Sequence, residues 1–124
     1  MNTLDKNELA LLCKVGFLAC ASGKVYEGRQ MFESLLLALP KNQSVMIGLA
    51  FSHMVVDDFE TSDSILQEII EADSTNYDAI GLLALSYALQ KRNDDVIETT
   101  SLLKEDAGTG YNLGQSALEL INNR

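Results

Sequence analysis

Shifted against itself by 34 residues, this chain of 124 residues aligns three times. Leu12, Met46 and Ile80 share a column, as do Val15, Leu49 and Leu83, then Gly16, Ala50 and Ala84, then Leu35, Ile69 and Leu103. The size class is kept down each column. Gly28, Ser62 and Val96 form a small-residue column, and Pro40, Ser74 and Gly108 form a column of turn residues that closes each unit. A fixed period constrains the fold more than any local motif. A unit of about 20–50 residues cannot bury its own apolar face and has to stack on its neighbours.

Start and stop signals divide each unit into two helices. The first helix is expected from about Asp5 to Ala21, with Asp5 as cap, Glu8 three residues on, and Ser22-Gly23-Lys24 as the closing turn. Its partner is expected from about Tyr26 to Leu39, up to Pro40-Lys41-Asn42. The next pair covers Ser44 to Val56 and Phe59 to Ala72 around Asp57-Asp58, and the third covers Tyr77 to Gln90 and Asp94 to Lys104 around Lys91-Arg92-Asn93. Gly108-Thr109-Gly110 precedes a seventh helix, Tyr111 to Asn122. There Leu113, Ala117, Leu118 and Ile121 can seal the end of the stack while Gln115, Glu119 and Asn122 face water. The expected architecture is all-α: one domain over 1–124, with repeats at 9–42, 43–76 and 77–110 and a capping helix at 111–122.

Composition narrows the function classes. The content of 47% hydrophobic residues with a single Pro suits a compact helical chain rather than a disordered one. A net charge of -9 disfavours nucleic acid and anionic membrane and favours a neutral or basic partner. The polar stretch Met1 to Asn7 lacks the basic and apolar regions of a secretory signal. Every apolar run is shorter than the roughly 18 residues a membrane span needs. Cys13 and Cys20 lie seven apart on one helix, roughly 10 Å along its axis, too far for a disulfide. His53 is the only histidine and no Cys-x-x-Cys occurs, so no metal or other cofactor is expected. These points suggest a cytoplasmic protein.

The two helices of a pair differ. In the second helices apolar residues recur at three and four with acids between, as in Asp63 to Glu71, leaving one wet face. The first helices are apolar nearly all round: Val45 to Val56 is interrupted only by Gly48, Ser52 and His53, and Ile80 to Leu89 only by Gly81 and Ser86. The spacing Leu12, Val15, Gly16, Ala19, Gly28, Phe32, Leu35, Pro40 resembles the tetratricopeptide repeat, though no unit has its Trp. That resemblance implies a right-handed solenoid with a concave groove, lined by the second, fifth, ninth, twelfth and thirteenth positions of each unit. Here those positions are Ala10, Cys13, Phe17, Cys20 and Ala21, then Ser44, Ile47, Phe51, Met54 and Val55, then Asp78, Gly81, Leu85, Ala88 and Leu89. Only Ser44 and Asp78 are polar. The expected partner-binding residues are Cys13, Phe17, Cys20, Ile47, Phe51, Met54, Leu85, Ala88 and Leu89. The alternatives are that this stripe is closed core or that two chains pair along it.

The Lys and Asn residues with which some tetratricopeptide domains clamp a terminal carboxylate are missing from these positions, which leaves an apolar or amphipathic helix as the ligand. Size, repeat count, a Gly or Ala at the helix crossing and apolar first helices make the chain similar to the small tetratricopeptide chaperones of bacterial type III secretion, particularly the larger subunit of the needle-protein chaperone. The resemblance covers residues 8 to 121. It implies a cytoplasmic bacterial protein whose groove holds the needle subunit's amphipathic helix and prevents premature polymerisation, with a small helical co-chaperone as a second partner. Other readings are a chaperone of a translocator protein and a homo-oligomeric adaptor whose groove is filled by its neighbour. An enzyme is not expected. Asp57-Asp58 and Asp94-Asp95 suit helix caps, and Gly108 and Gly110 lack the Lys of a phosphate loop.

Overall fold

The structure is a computed structural model and describes residues 4–106 and 108–123. Met1 to Thr3 at the start of the polar N-terminus, Ala107 in the third repeat, and Arg124 lie outside the described residues. Among the described residues the chain is all-helical, with seven α-helices and no strand: α1 (Lys6–Ala21), α2 (Val25–Ala38), α3 (Gln43–Met54), α4 (Phe59–Ala72), α5 (Tyr77–Leu89), α6 (Asn93–Thr100) and α7 (Thr109–Asn122).

The starts of α1, α3 and α5 carry side-chain caps, of which Asp5 was expected; the expected cap at Asp94-Asp95 is not made, because α6 begins at Asn93 and both acids lie inside its first turn, while its N-cap Arg92 makes no side-chain cap bond. Asp5 accepts the Glu8 amide at 2.8 Å, Asn42 that of Val45 at 3.1 Å and Asn76 that of Ala79 at 3.0 Å. Two ends come early. α3 stops at Met54 instead of Val56, because Asp57 turns the chain at φ +63° and its amide reaches back to the Met54 carbonyl at 3.0 Å. α6 stops at Thr100 instead of Lys104. The hydroxyls of Thr100 and Ser101 bond to carbonyls three and four residues back, offering the chain an alternative to further helix.

The period reappears in the backbone. Gly23, Asp57 and Lys91, each 34 residues after the last, all have positive φ, at 92°, 63° and 63°. Their amides bond to Cys20, Met54 and Ala88, and the following amides of Lys24, Asp58 and Arg92 bond to Ala19, His53 and Tyr87. That pair of bonds is the Schellman helix end. It is made three times in the same register.

The chain divides into two compact units, residues 1–62 and 63–124, with the division inside α4 rather than at a repeat boundary. In the first, α1 packs on α2 and α3, and α2 on α3. Fully buried Phe32 is the wedge. A methyl group on Gly16 would come within 2.6 Å of its ring, and one on Gly48 would collide with it, so the ring occupies space that two glycines leave free. Cys13, Cys20, Leu35 and Val45 complete the core around it. In the second unit α5 packs on α6 and α7, and α6 on α7. α5 and α7 touch backbone to backbone: a methyl group on Gly81 would collide with the Gly110 carbonyl, and one on Gly110 with that of Tyr77. α7 has the orientation expected of a cap, with Ala117 buried, Leu113, Leu118 and Ile121 half-buried, and Gln115, Glu119 and Asn122 exposed.

Candidate binding surface

In the first unit the expected groove positions form a graded apolar surface. Ala10, Ala21 and Val55 are exposed, Phe17, Ile47 and Phe51 half-buried, and Cys13, Cys20 and Met54 buried. Phe17 holds this surface to the core. Its ring meets buried Phe32 edge-on, with centroids 5.5 Å apart, and on its other side lies tilted against Phe51 at 5.4 Å. Both separations fall in the favourable range for aromatic pairs. No acidic side chain occupies a groove position here, so an apolar guest would meet no buried carboxylate.

The two thiols depart from expectation. Cys13 and Cys20 are 7% and 3% exposed and belong to the core rather than to an open groove. The Cys20 sulfur fills the space that Gly28 leaves open, 2.5 Å from where a methyl carbon would stand. Burial pushes both thiols above their ordinary pKa, with the Arg29 charge partly opposing this at Cys20. Neither has the electropositive, accessible setting of a reactive cysteine.

The second unit offers less open surface. Ala88 is fully buried, Leu85 half-buried and Leu89 48% exposed, and nine of the thirteen residues of α5 are buried. The Gly81 position, which would have faced the groove, is taken by the backbone of α7. The alternation of large and small residues along α5 therefore serves packing.

No family model matches the chain, and no curated protein or solved structure matches it either.

Polar groups near these surfaces have structural partners. His53 Nδ1 lies 3.0 Å from Asp58 Oδ2, and Asp58 also accepts the Thr61 amide, tying the turn to the start of α4. Arg29 donates through Nε to Ser52 Oγ at 3.1 Å and through Nη2 to the Ser52 carbonyl at 2.8 Å. In the second unit Ser86 Oγ donates to Asp63 at 2.5 Å, Gln90 donates to the same carboxylate, and Arg92 lies 4.3 Å over the Tyr87 ring. Among the described residues no cluster of three or more His, Cys, Asp or Glu could hold a metal ion, and no helix is long and apolar enough to cross a membrane. A hollow of about 640 Å³ runs along α2 between Glu27, Met31 and Leu37, away from the groove positions.

One surface lay outside the groove reading. Leu11, Val15 and Leu18 of α1 are 62%, 42% and 69% exposed, although the 34-residue register places them with covered residues of α3 and α5.

Proposed function

We propose that the chain is a tetratricopeptide-like binding module that holds an apolar or amphipathic helix of a self-assembling subunit on its first-helix surface and so keeps that subunit from polymerising. The observation that carries this reading is the half-exposed Phe17–Phe51 pair, anchored on buried Phe32 and flanked by Ile47 and Val55, with no charge among them. The threefold Schellman turn and the packing order of first helix, second helix and next first helix in each unit support a repeat solenoid. The resemblance to type III secretion chaperones makes the needle protein the cargo of first choice, with the bacterial cytoplasm as the place of action. Each large apolar side chain buried in such a complex contributes about 1.5–3 kcal/mol before ordering costs.

The test is to purify the tagged chain from its native cell, identify co-purifying proteins by mass spectrometry, and repeat this with Phe51→Glu and with Leu85→Glu. A carboxylate at position 51 stays hydrated in the free protein and is desolvated in the complex. Loss of a helical partner with Phe51→Glu, at unchanged circular dichroism, supports the reading. A partner retained at unchanged affinity by both variants rejects it. A self-dimer that Phe51→Glu dissolves would assign the surface to a second copy instead.

A further inference from the structure

At one register position the array changes character. Arg29 of α2 donates to Ser52 of α3, and 34 residues on Ser86 of α5 donates to Asp63 of α4, so each of these seams between a second helix and the next first helix is closed by a polar couple. Both serines are fully buried. The third members of the two series are Ile97 of α6 and Leu120 of α7. Leu103, six residues after Ile97, fills the space over Gly114, six residues before Leu120, so the two segments run antiparallel and Ile97 pairs with Leu120. Yet Ile97 is 57% and Leu120 41% exposed. This seam shows water two large apolar side chains where its counterparts place a charged one over a hydroxyl, and exposed apolar surface of that kind marks an interaction site.

The surroundings specify the partner's charge. α6 and α7 together carry Asp94, Asp95, Glu98 and Glu119 and no Lys or Arg. Arg92 pairs with Asp95 at 2.8 Å, while Asp94, Glu98 and Glu119 are exposed and, among the described residues, in no ion pair. Asp94 lies in the first turn of α6, where the helix dipole favours an acid. Glu98 and Glu119 have no such support. Glu98 follows Ile97, and Glu119 precedes Leu120 in the last turn of α7, where the dipole favours a cation and the helix has none. A Lys or Arg brought by a partner supplies that cation. The phosphates of nucleic acid or of an anionic lipid surface would be repelled, and a second copy presenting the same face would set acid against acid.

We propose that the seam of Ile97 and Leu120 docks a basic amphipathic helix of a partner protein, its apolar side chains on Ile97 and Leu120 and its Lys or Arg beside Glu98 and Glu119. None of these four is a groove position.

The probe is a synthetic helix of Leu and Lys with its leucines on one stripe, stapled because a short helix is marginal alone. One control has the same composition with the stripe scrambled, and another has Glu in place of Lys. Titrated against the full chain, the striped Leu and Lys helix is expected to bind about tenfold tighter or better than the scrambled one. Ile97→Ser with Leu120→Ser should erase that difference. Glu98→Lys with Glu119→Lys, both at exposed positions, should invert the preference toward the Leu and Glu helix. Phe51→Ser, which removes groove surface without adding charge, should leave all three affinities unchanged. Circular dichroism checks that each variant keeps its helices. Equal binding of striped and scrambled helices, a difference that survives the two serines, no inversion by the two lysines, or loss of binding with Phe51→Ser overturns the proposal. So does self-association of the chain alone that Ile97→Ser abolishes, which would assign the seam to a second copy.

Discussion

Cys13 and Cys20 carry the clearest consequence at the scale of single residues. With both sulfurs in the core and their pKa values raised by burial, native protein is expected to label slowly with a thiol reagent and to label fully only after unfolding, read by mass. Fast native labelling would mean that α1 and α2 open readily. The raised values also have a pH sign. The folded state holds the thiol protons more tightly, so this contribution to stability is complete below the ordinary value of 9.0 and is lost as pH rises through the folded values. Melting temperature should therefore fall at alkaline pH, and Cys13→Ser with Cys20→Ala should flatten that fall. Ala50, fully buried in α3, tests the core from the other direction. Ala50→Leu is expected to cost roughly 1–3 kcal/mol in urea unfolding through overpacking.

At the scale of elements, the threefold turn separates backbone conformation from side-chain chemistry. Gly23, Asp57 and Lys91 hold the same left-handed position, which costs a non-glycine residue roughly 1–2 kcal/mol. Gly23→Ala meets nothing within 4 Å of the new methyl group, so its expected destabilisation of about 1 kcal/mol is purely conformational. Lys91→Gly should stabilise by up to about 1 kcal/mol, with the greater freedom of glycine in the unfolded chain offsetting part of the gain. Chemical denaturation measures both, and opposite signs are the diagnostic result. The caps supply the acid limb. Hydrogen bonds from the Glu8 amide hold Asp5 below the ordinary 3.8, those from Thr61, with His53, do so for Asp58, and those from Thr75 for Asp73. A depressed carboxylate stabilises above its unfolded value and loses that contribution as pH falls through the folded one. Asp5→Asn should therefore reduce the acid sensitivity of melting, since an amide oxygen caps without titrating.

Charge is the property of the whole molecule that the fold distributes unevenly. Residues 1–62 hold five Lys or Arg against seven Asp or Glu, and residues 63–124 hold four against eleven. Most of the -9 charge therefore falls in the second unit, where it opposes compaction. Raising ionic strength toward 0.3 M, at which the Debye length is roughly 6 Å, should raise the melting temperature measured by calorimetry. A fall would mean that attractive pairs such as Arg92–Asp95, 2.8 Å apart, outweigh the repulsion.

The all-helical class, the cap at Asp5 and the orientation of α7 were legible in the residues, because each depends on spacing or on a local hydrogen bond. So were the three turns, whose Gly, Asp and Lys share no chemistry but share a register. Which apolar positions stay open was not legible. All these positions carried the same expectation of an open groove, yet Cys13, Cys20, Met54 and Ala88 are buried while Val55 and Leu89 are exposed, with the Phe32 wedge in one unit and the backbone contact of Gly81 with Gly110 in the other. An apolar residue has the same sequence signature whether it is covered or bare. Only the helix lying over it decides which.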